Sequence, residues 1–142
     1  MFKKIAFSFV IWRVALFAIA VLAIYVLPTF GGRFPYADRV LEITKLPNFI
    51  WGWGNFDGVH YLRIAQDGYL AQFSQAFFPL YPILIRTFAF LFPKDLTLNT
   101  VLYTDPSFFY AGLVLSNIFF LGALFIFYKL LNLDFKKNIT FW

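Results

Sequence analysis

The chain has 142 residues, 61% of them hydrophobic and 13% charged, with 22 phenylalanines, a formal net charge of +5 and a mean hydropathy of +0.73. That balance excludes an ordinary soluble domain and indicates a membrane protein. Cysteine is absent, which removes disulfides and thiolate metal sites. The basic residues gather at segment ends (Lys3, Lys4, Lys94, Lys129, Lys136, Lys137), a distribution that suits lipid headgroups and membrane orientation rather than nucleic acid.

The first predicted element is the run from Ile5 to Leu27, broken only by Ser8 and Arg13. At about 1.5 Å per residue it covers a hydrocarbon core of about 30 Å, so it reads as a span. Lys3 and Lys4 ahead of it also suit a signal peptide, but the run outlasts an h-region of about 7 to 15 residues and no small-residue cleavage site follows. We read it as a retained signal anchor. The two lysines should hold the N-terminus in the cytoplasm and place the loop over 28–76 on the extracytoplasmic side.

Within that loop, Tyr36 to Leu46 mixes Val40, Leu41 and Ile43 with Asp38, Arg39, Glu42 and Lys45, which suits a short helix lying in the headgroup region. Pro47 should end it. The indoles of Trp51 and Trp53 favour the membrane interface, and the glycines among them allow a close backbone approach. A second helix is expected from about Asp57 to Asp67, closed by Gly68 as a left-handed residue. Asp57, His60, Tyr61 and Ile64 then share one face.

Each polar residue of that island has two readings. Asp57 is either an N-cap, worth about 1 kcal/mol, or a general base toward a sugar hydroxyl. His60 either serves as a structural donor or hydrogen-bonds a phosphate and orients the carboxylate. Asp57 and His60 together would make a thin metal site, and we assign no metal. Arg63 and Asp67, at i and i+4, form an exposed ion pair by default.

Phe77 to Phe92 is shorter and carries Pro79, Pro82 and Arg86. We read it as a third span starting in the aromatic interface, with a re-entrant segment as the alternative. Ser107 to Leu131 is a further span, with Ser116 and Asn117 as packing polars in its middle. Three spans would leave Lys129, Lys136 and Lys137 outside with Asp134, against the positive-inside rule. Either 77–92 does not cross fully or the chain is the front of a longer protein, which is the expectation here. Asn138-Ile139-Thr140 is a glycosylation sequon if it faces a lumen. The fold class is therefore an all-α integral membrane protein with about three transmembrane helices and short interfacial helices in a long first extracytoplasmic loop.

Phe56-Asp57-Gly58-Val59-His60-Tyr61-Leu62-Arg63-Ile64-Ala65-Gln66-Asp67-Gly68-Tyr69, followed by Ala76-Phe77-Phe78-Pro79-Leu80-Tyr81-Pro82, resembles the W-D-x-x-H-[FY]-x-x-I-A-x-x-G-Y and F-F-P pattern of the PIG-V family. Those proteins are GPI mannosyltransferase 2 and its prokaryotic relatives, polytopic glycosyltransferases of the GT-C class. The likeness covers about 27 contiguous residues, and Phe56 stands where the family usually has Trp. It implies that 1–142 is the N-terminal part of one polytopic GT-C domain, inactive alone. It further implies transfer of a hexose, typically mannose, from a polyprenyl or dolichyl phosphate to a lipid- or glycan-linked acceptor.

Such an enzyme sits in the cell membrane of a prokaryote or the endoplasmic reticulum membrane of a eukaryote, with its motif loop extracytoplasmic, and no cofactor is called for. The position matching the catalytic base is Asp57, while His60, Tyr61 and Tyr69 carry over as motif residues. Arg33, Arg39, Arg63 or His60 would meet the phosphate, and Arg63 joins His60, Tyr61 and Tyr69 as substrate-binding. Arg13 and Arg86 are expected to snorkel to the interface; turned inward, either would pair with a carboxylate or the donor phosphate. The rival reading is a non-enzymatic polytopic protein, a transporter subunit or assembly factor. A transport path would place ionisable groups facing one another within the spans, whereas here they collect beside a helix start.

Overall fold

The computed structural model describes residues 2–27, 40–93 and 105–135, the Ile43 side chain excepted. Arg33, Arg39, the start of the Tyr36–Leu46 segment, Lys94, the tail from Lys136 and the sequon lie outside the described residues. Helix α1 (Phe2–Val26) is 25 residues long and α5 (Pro106–Asp134) is 29, or about 37 and 43 Å. Between them come α2 (Asn48–Trp51), α3 (Asp57–Asp67) and α4 (Leu80–Phe88), with single 3-10 turns before, between and after them. No strand occurs among the described residues.

Local sequence explains each boundary. Helix α1 contains neither proline nor glycine and is apolar on every side, the composition of a lipid-facing rod. At the start of α5 the Asp105 carboxylate accepts from the Ser107 N–H at 2.8 Å and Pro106 occupies the first turn, where its missing N–H costs nothing. Pro82 is tolerated in the first turn of α4 for the same reason. Helix α3 runs from Asp57 to Asp67 as its pattern indicates. Gly68 closes it at φ 82°, a region open to glycine, though its ψ of −165° is extended rather than helical and only one bond, Gly68 N–H to Ile64 O at 2.9 Å, seals the end.

The two long helices pack antiparallel through aromatic rings. Phe2 meets Phe125 edge-on at 5.8 Å, Trp12 meets Phe120 at 5.2 Å, and Phe17, farther along α1, meets Phe49 of α2. The start of α1 therefore lies at the same end of the molecule as the finish of α5, and residues 40–93 gather at the opposite end. Both helices are long and apolar enough to cross a membrane.

The third span expected over 77–92 is not matched by a helix of crossing length. The helical stretch is Leu80–Leu91, about 18 Å long against a core of about 30 Å. The antiparallel pair gives the physical reason: its outer termini share one end, so an even number of crossings separates them. Two are already supplied by α1 and α5. The interfacial helix expected over Tyr36–Leu46 is represented among the described residues by a 3-10 turn at Glu42–Thr44, ended by Lys45 at φ 56°.

Packing centres on α3, which touches both α4 and the first half of α5. One apolar cluster joins Val40, Leu41, Trp51, Val59, Leu62 and Phe109; the other joins Ala65, Ile85, Ala89, Ala111 and Leu115. At the far end of α3, the Gln66 amide oxygen accepts the Asp105 N–H at 2.9 Å, tying it to the start of α5. The motif helix is thus wedged against a membrane helix rather than suspended in a loop.

Candidate functional site

Asp57 opens α3, and the residue before it is strained. Phe56 holds φ 56° and ψ −125°, a conformation that costs a non-glycine residue about 1 to 3 kcal/mol. Asn55 starts the turn by accepting the Gly58 N–H through its backbone carbonyl at 3.2 Å. The N-cap reading of Asp57 does not describe this geometry: Phe56 occupies the cap position and no side chain bonds to the cap. The Asp57 carboxylate instead projects from the first turn, exposed, and makes no ion pair or hydrogen bond among the described residues. A negative charge there is favoured by the helix dipole.

The other motif residues are organised around Phe77. The His60 ring stacks on it, with centroids 4.7 Å apart at 21°, and Tyr61 meets it edge-on at 5.2 Å. The Tyr69 hydroxyl donates to the Phe77 carbonyl at 2.8 Å. Tyr61 also meets Tyr81 edge-on at 5.2 Å. The two halves of the sequence motif, 56–69 and 76–82, therefore clasp each other through one phenylalanine. Arg63 and Asp67 form the ion pair expected of their spacing, 2.8 Å apart, with about a third of each side chain exposed.

Helix α3 separates two cavities. On one side lies a space of about 440 Å³ lined by His60, Arg63, Gly68, Gln72 and Ser74. On the other lies one of about 140 Å³ lined by Gly58, Tyr61, Tyr81, Ser116, Asn117 and Arg13. At 100° per residue Asp57 falls on the ridge between these two faces, and it lines neither cavity. The structure thus brings Asp57, His60, Tyr61 and Arg63 onto adjoining faces of one helix, with Tyr69 fastening the turn that follows.

Three residues, Tyr81, Gly112 and Arg13, take their place in the site from the tertiary fold. Tyr81 donates to the Gly112 carbonyl at 2.9 Å and shares a hydrogen bond with Ser116, so α4 and α5 close the smaller cavity together. A Cβ on Gly112 would stand in ordinary contact with the Tyr81 hydroxyl at 3.5 Å and slightly close to Ile85 Cδ1 at 3.3 Å, so α4 packs tightly on α5 at this glycine. Arg13 departs from the expected snorkelling: its guanidinium lies 4.9 Å from the Trp12 ring, 5.4 Å from Phe9 and 5.3 Å from Phe120 on α5, facing the bundle. Its break in an otherwise apolar span was the one available signal. Arg86, by contrast, is exposed in the last turn of α4. Among the described residues no three His, Cys, Asp or Glu side chains are grouped to hold a metal ion.

Residues 35–141 match the family model described as Mannosyltransferase (PIG-V). No curated protein and no solved structure matches the chain.

Proposed function

The chain belongs to the mannosyltransferase (PIG-V) family, and on that premise we propose that Asp57 is the general base of a GT-C mannosyl transfer on the extracytoplasmic face of the membrane. Family membership makes this a membrane glycosyltransferase; the residue roles, the donor and the sidedness are our reading. The observation that carries it is the Asp57 carboxylate, exposed, without a partner among the described residues, and set on the ridge between two cavities lined by the rest of the motif.

In this reading the donor is mannose on a polyprenyl or dolichyl phosphate and the acceptor is a lipid- or glycan-linked sugar. The acceptor oxygen attacks the anomeric carbon, the bond from that carbon to the phosphate oxygen breaks, and the hydroxyl proton passes to Asp57. The lipid phosphate leaves with the bonding electrons, and the anomeric centre inverts. Because the leaving group is already activated, positioning and charge stabilisation supply most of the rate. His60 and Arg63, on one side of the ridge, meet the phosphate or a sugar hydroxyl; Tyr61 lines the other side, and Tyr69 holds the Phe77 clasp to which both rings are pinned.

The helix pair supports the sidedness. Lys3, Lys4 and Lys129 fall at one end of the antiparallel α1 and α5, while Asp57 and the cavities beside α3 fall toward the other, so the positive-inside rule sends the motif outward. With α1 and α5 as the two crossings, the charge conflict that three spans would create does not arise.

The test is sugar transfer from polyprenyl-phosphate mannose by the intact gene product in membranes, wild type against Asp57→Asn. Loss of a general base is expected to lower kcat by about 10² to 10⁴-fold with little change in KM. Undiminished turnover would remove Asp57 from the role.

A further inference from the structure

We propose that Arg13, which stands on the wall of both the smaller cavity and the groove beside it, is a docking point for another transmembrane helix that carries a carboxylate at the level of the α1 midpoint. The guanidinium lies near the middle of α1, about 14 Å by helical rise from Lys4. It faces α5 and is ringed by Phe9, Trp12 and Phe120. Those rings attract the cation but accept none of its hydrogen bonds conventionally, and its Nε is buried without a partner.

No charge in the helix pair answers it. Neither α1 nor the apolar body of α5 up to Lys129 contains an Asp or Glu, and Arg13 makes no ion pair among the described residues. An arginine held at bilayer depth normally faces a partner group. Beside it a largely apolar groove of about 410 Å³ runs between the helices, lined by Val14, Phe17, Ile50, Tyr110 and Leu113, with Asn117 as a polar member of the lining. Its walls offer side chains for van der Waals packing, and its one charged end demands an anion.

Depth selects the occupant. A lipid phosphate sits in the headgroup region, whereas Arg13 is near the midpoint of α1, about 14 Å by helical rise from Lys4. A carboxylate on a crossing helix reaches that level without carrying a headgroup into hydrocarbon. The partner surface is therefore a helix with one Asp or Glu near its centre, small or branched apolar residues flanking it, and a path along the Val14, Phe17 and Leu113 wall.

The experiment uses the full chain in lipid vesicles, labelled for energy transfer, with two synthetic probes: a Leu/Ala transmembrane peptide bearing a central Asp, and the same peptide with Leu in its place. The Asp peptide is expected to associate about tenfold more tightly, and Arg13→Leu should abolish that preference. Val14→Trp, which fills the groove and keeps the cation, should weaken the Asp peptide similarly, so the conclusion does not depend on one variant folding. Equal association of the two peptides with wild type, or a preference that survives Arg13→Leu, would overturn the proposal. So would Arg13-dependent binding of decaprenyl phosphate that displaces the Asp peptide, which would give the site to a lipid phosphate. Sugar transfer that depends on Asp57 is a separate measurement, and either result can stand without the other.

Discussion

Gly54 and Gly58 are four residues apart, and alanine should have opposite effects at the two. A Cβ built on Gly54 would lie 2.9 Å from Phe109 Cε2 and 3.0 Å from Leu41 Cδ2. Carbon atoms in contact ordinarily stand about 3.5 to 4.0 Å apart, so either the ring or the backbone must move by about half an ångström or more. Both neighbours are buried, Leu41 at 0% and Phe109 at 3% exposure, and only Phe109 borders the smaller cavity, so relief of the clash falls to that ring. Overpacking of this kind costs about 1 to 3 kcal/mol. At Gly58 no atom lies within 4 Å of the added methyl, and the residue is helical, so alanine should stabilise by about 0.5 kcal/mol through helix propensity.

The assay is loss of far-ultraviolet helicity on SDS titration of the purified protein in detergent, with intrinsic fluorescence made local to Trp51 and Trp53 by a Trp12→Phe, Trp142→Phe background. Gly54→Ala should fall below wild type and Gly58→Ala at or above it, separated by about 2 kcal/mol. Because the clash is with one ring, Phe109→Leu in the Gly54→Ala background should recover about 1 kcal/mol relative to additive costs. Gly54→Ala as stable as wild type, or a cost that Phe109→Leu leaves untouched, would refute the packing argument. Gly54 lies three residues before Asp57, so the same variant should lower transfer activity, whereas a shift of Asp57 is not expected from Gly58→Ala.

Phe56→Gly removes the positive-φ strain and should stabilise by about 1 kcal/mol in the same titration, less whatever packing the Phe56 ring supplies; a drop in transfer activity alongside it would show that the strained turn serves to aim Asp57. Arg63→Gln breaks a partly exposed i,i+4 pair and should cost no more than about 0.5 kcal/mol, so a larger loss of kcat/KM than of stability would mark Arg63 as a substrate contact. Tyr81→Phe deletes the bonds to Gly112 and Ser116 across α4 and α5 and should cost about 0.5 to 1.5 kcal/mol, read as an earlier loss of helicity, while an unchanged titration would mean that the hydroxyl is not what closes the smaller cavity.

Much of the fold is legible along the chain because its determinants are local. Twenty or more apolar residues without a break demand a helix of crossing length, and both α1 and α5 appear within three residues of the limits read from hydropathy. Helix α3 is legible for a similar reason, since its start follows a turn and its end needs a residue tolerant of positive φ, which Gly68 supplies. The family likeness is legible too, because its motif is contiguous, and the match over 35–141 bears it out.

The segment over 77–92 reads as a full span but forms no helix of crossing length, because apolar composition does not report length of regular helix. Pro79 and Pro82 allow α4 to begin only at Leu80, and the 3-10 turn ends it by Leu91. Arg13 departs from its expected place because snorkelling is the cheaper outcome for an isolated helix, and only the arrival of Phe120 from α5 provides a competing surface.

Chain order alone settled that this protein lives in a membrane, where its two long helices begin and end, which turn carries the acidic residue, and which family it joins. These follow from nearest-neighbour sterics and from the cost of placing backbone and charge in hydrocarbon, both of which a short window of residues expresses. Tertiary structure alone decided that α1 and α5 run antiparallel, that Phe77 clasps His60, Tyr61 and Tyr69, that Asp57 stands between two cavities, and that Arg13 faces inward. Each of those depends on residues far apart in the chain meeting one another, and such pairings are selected by packing complementarity, which no local pattern encodes.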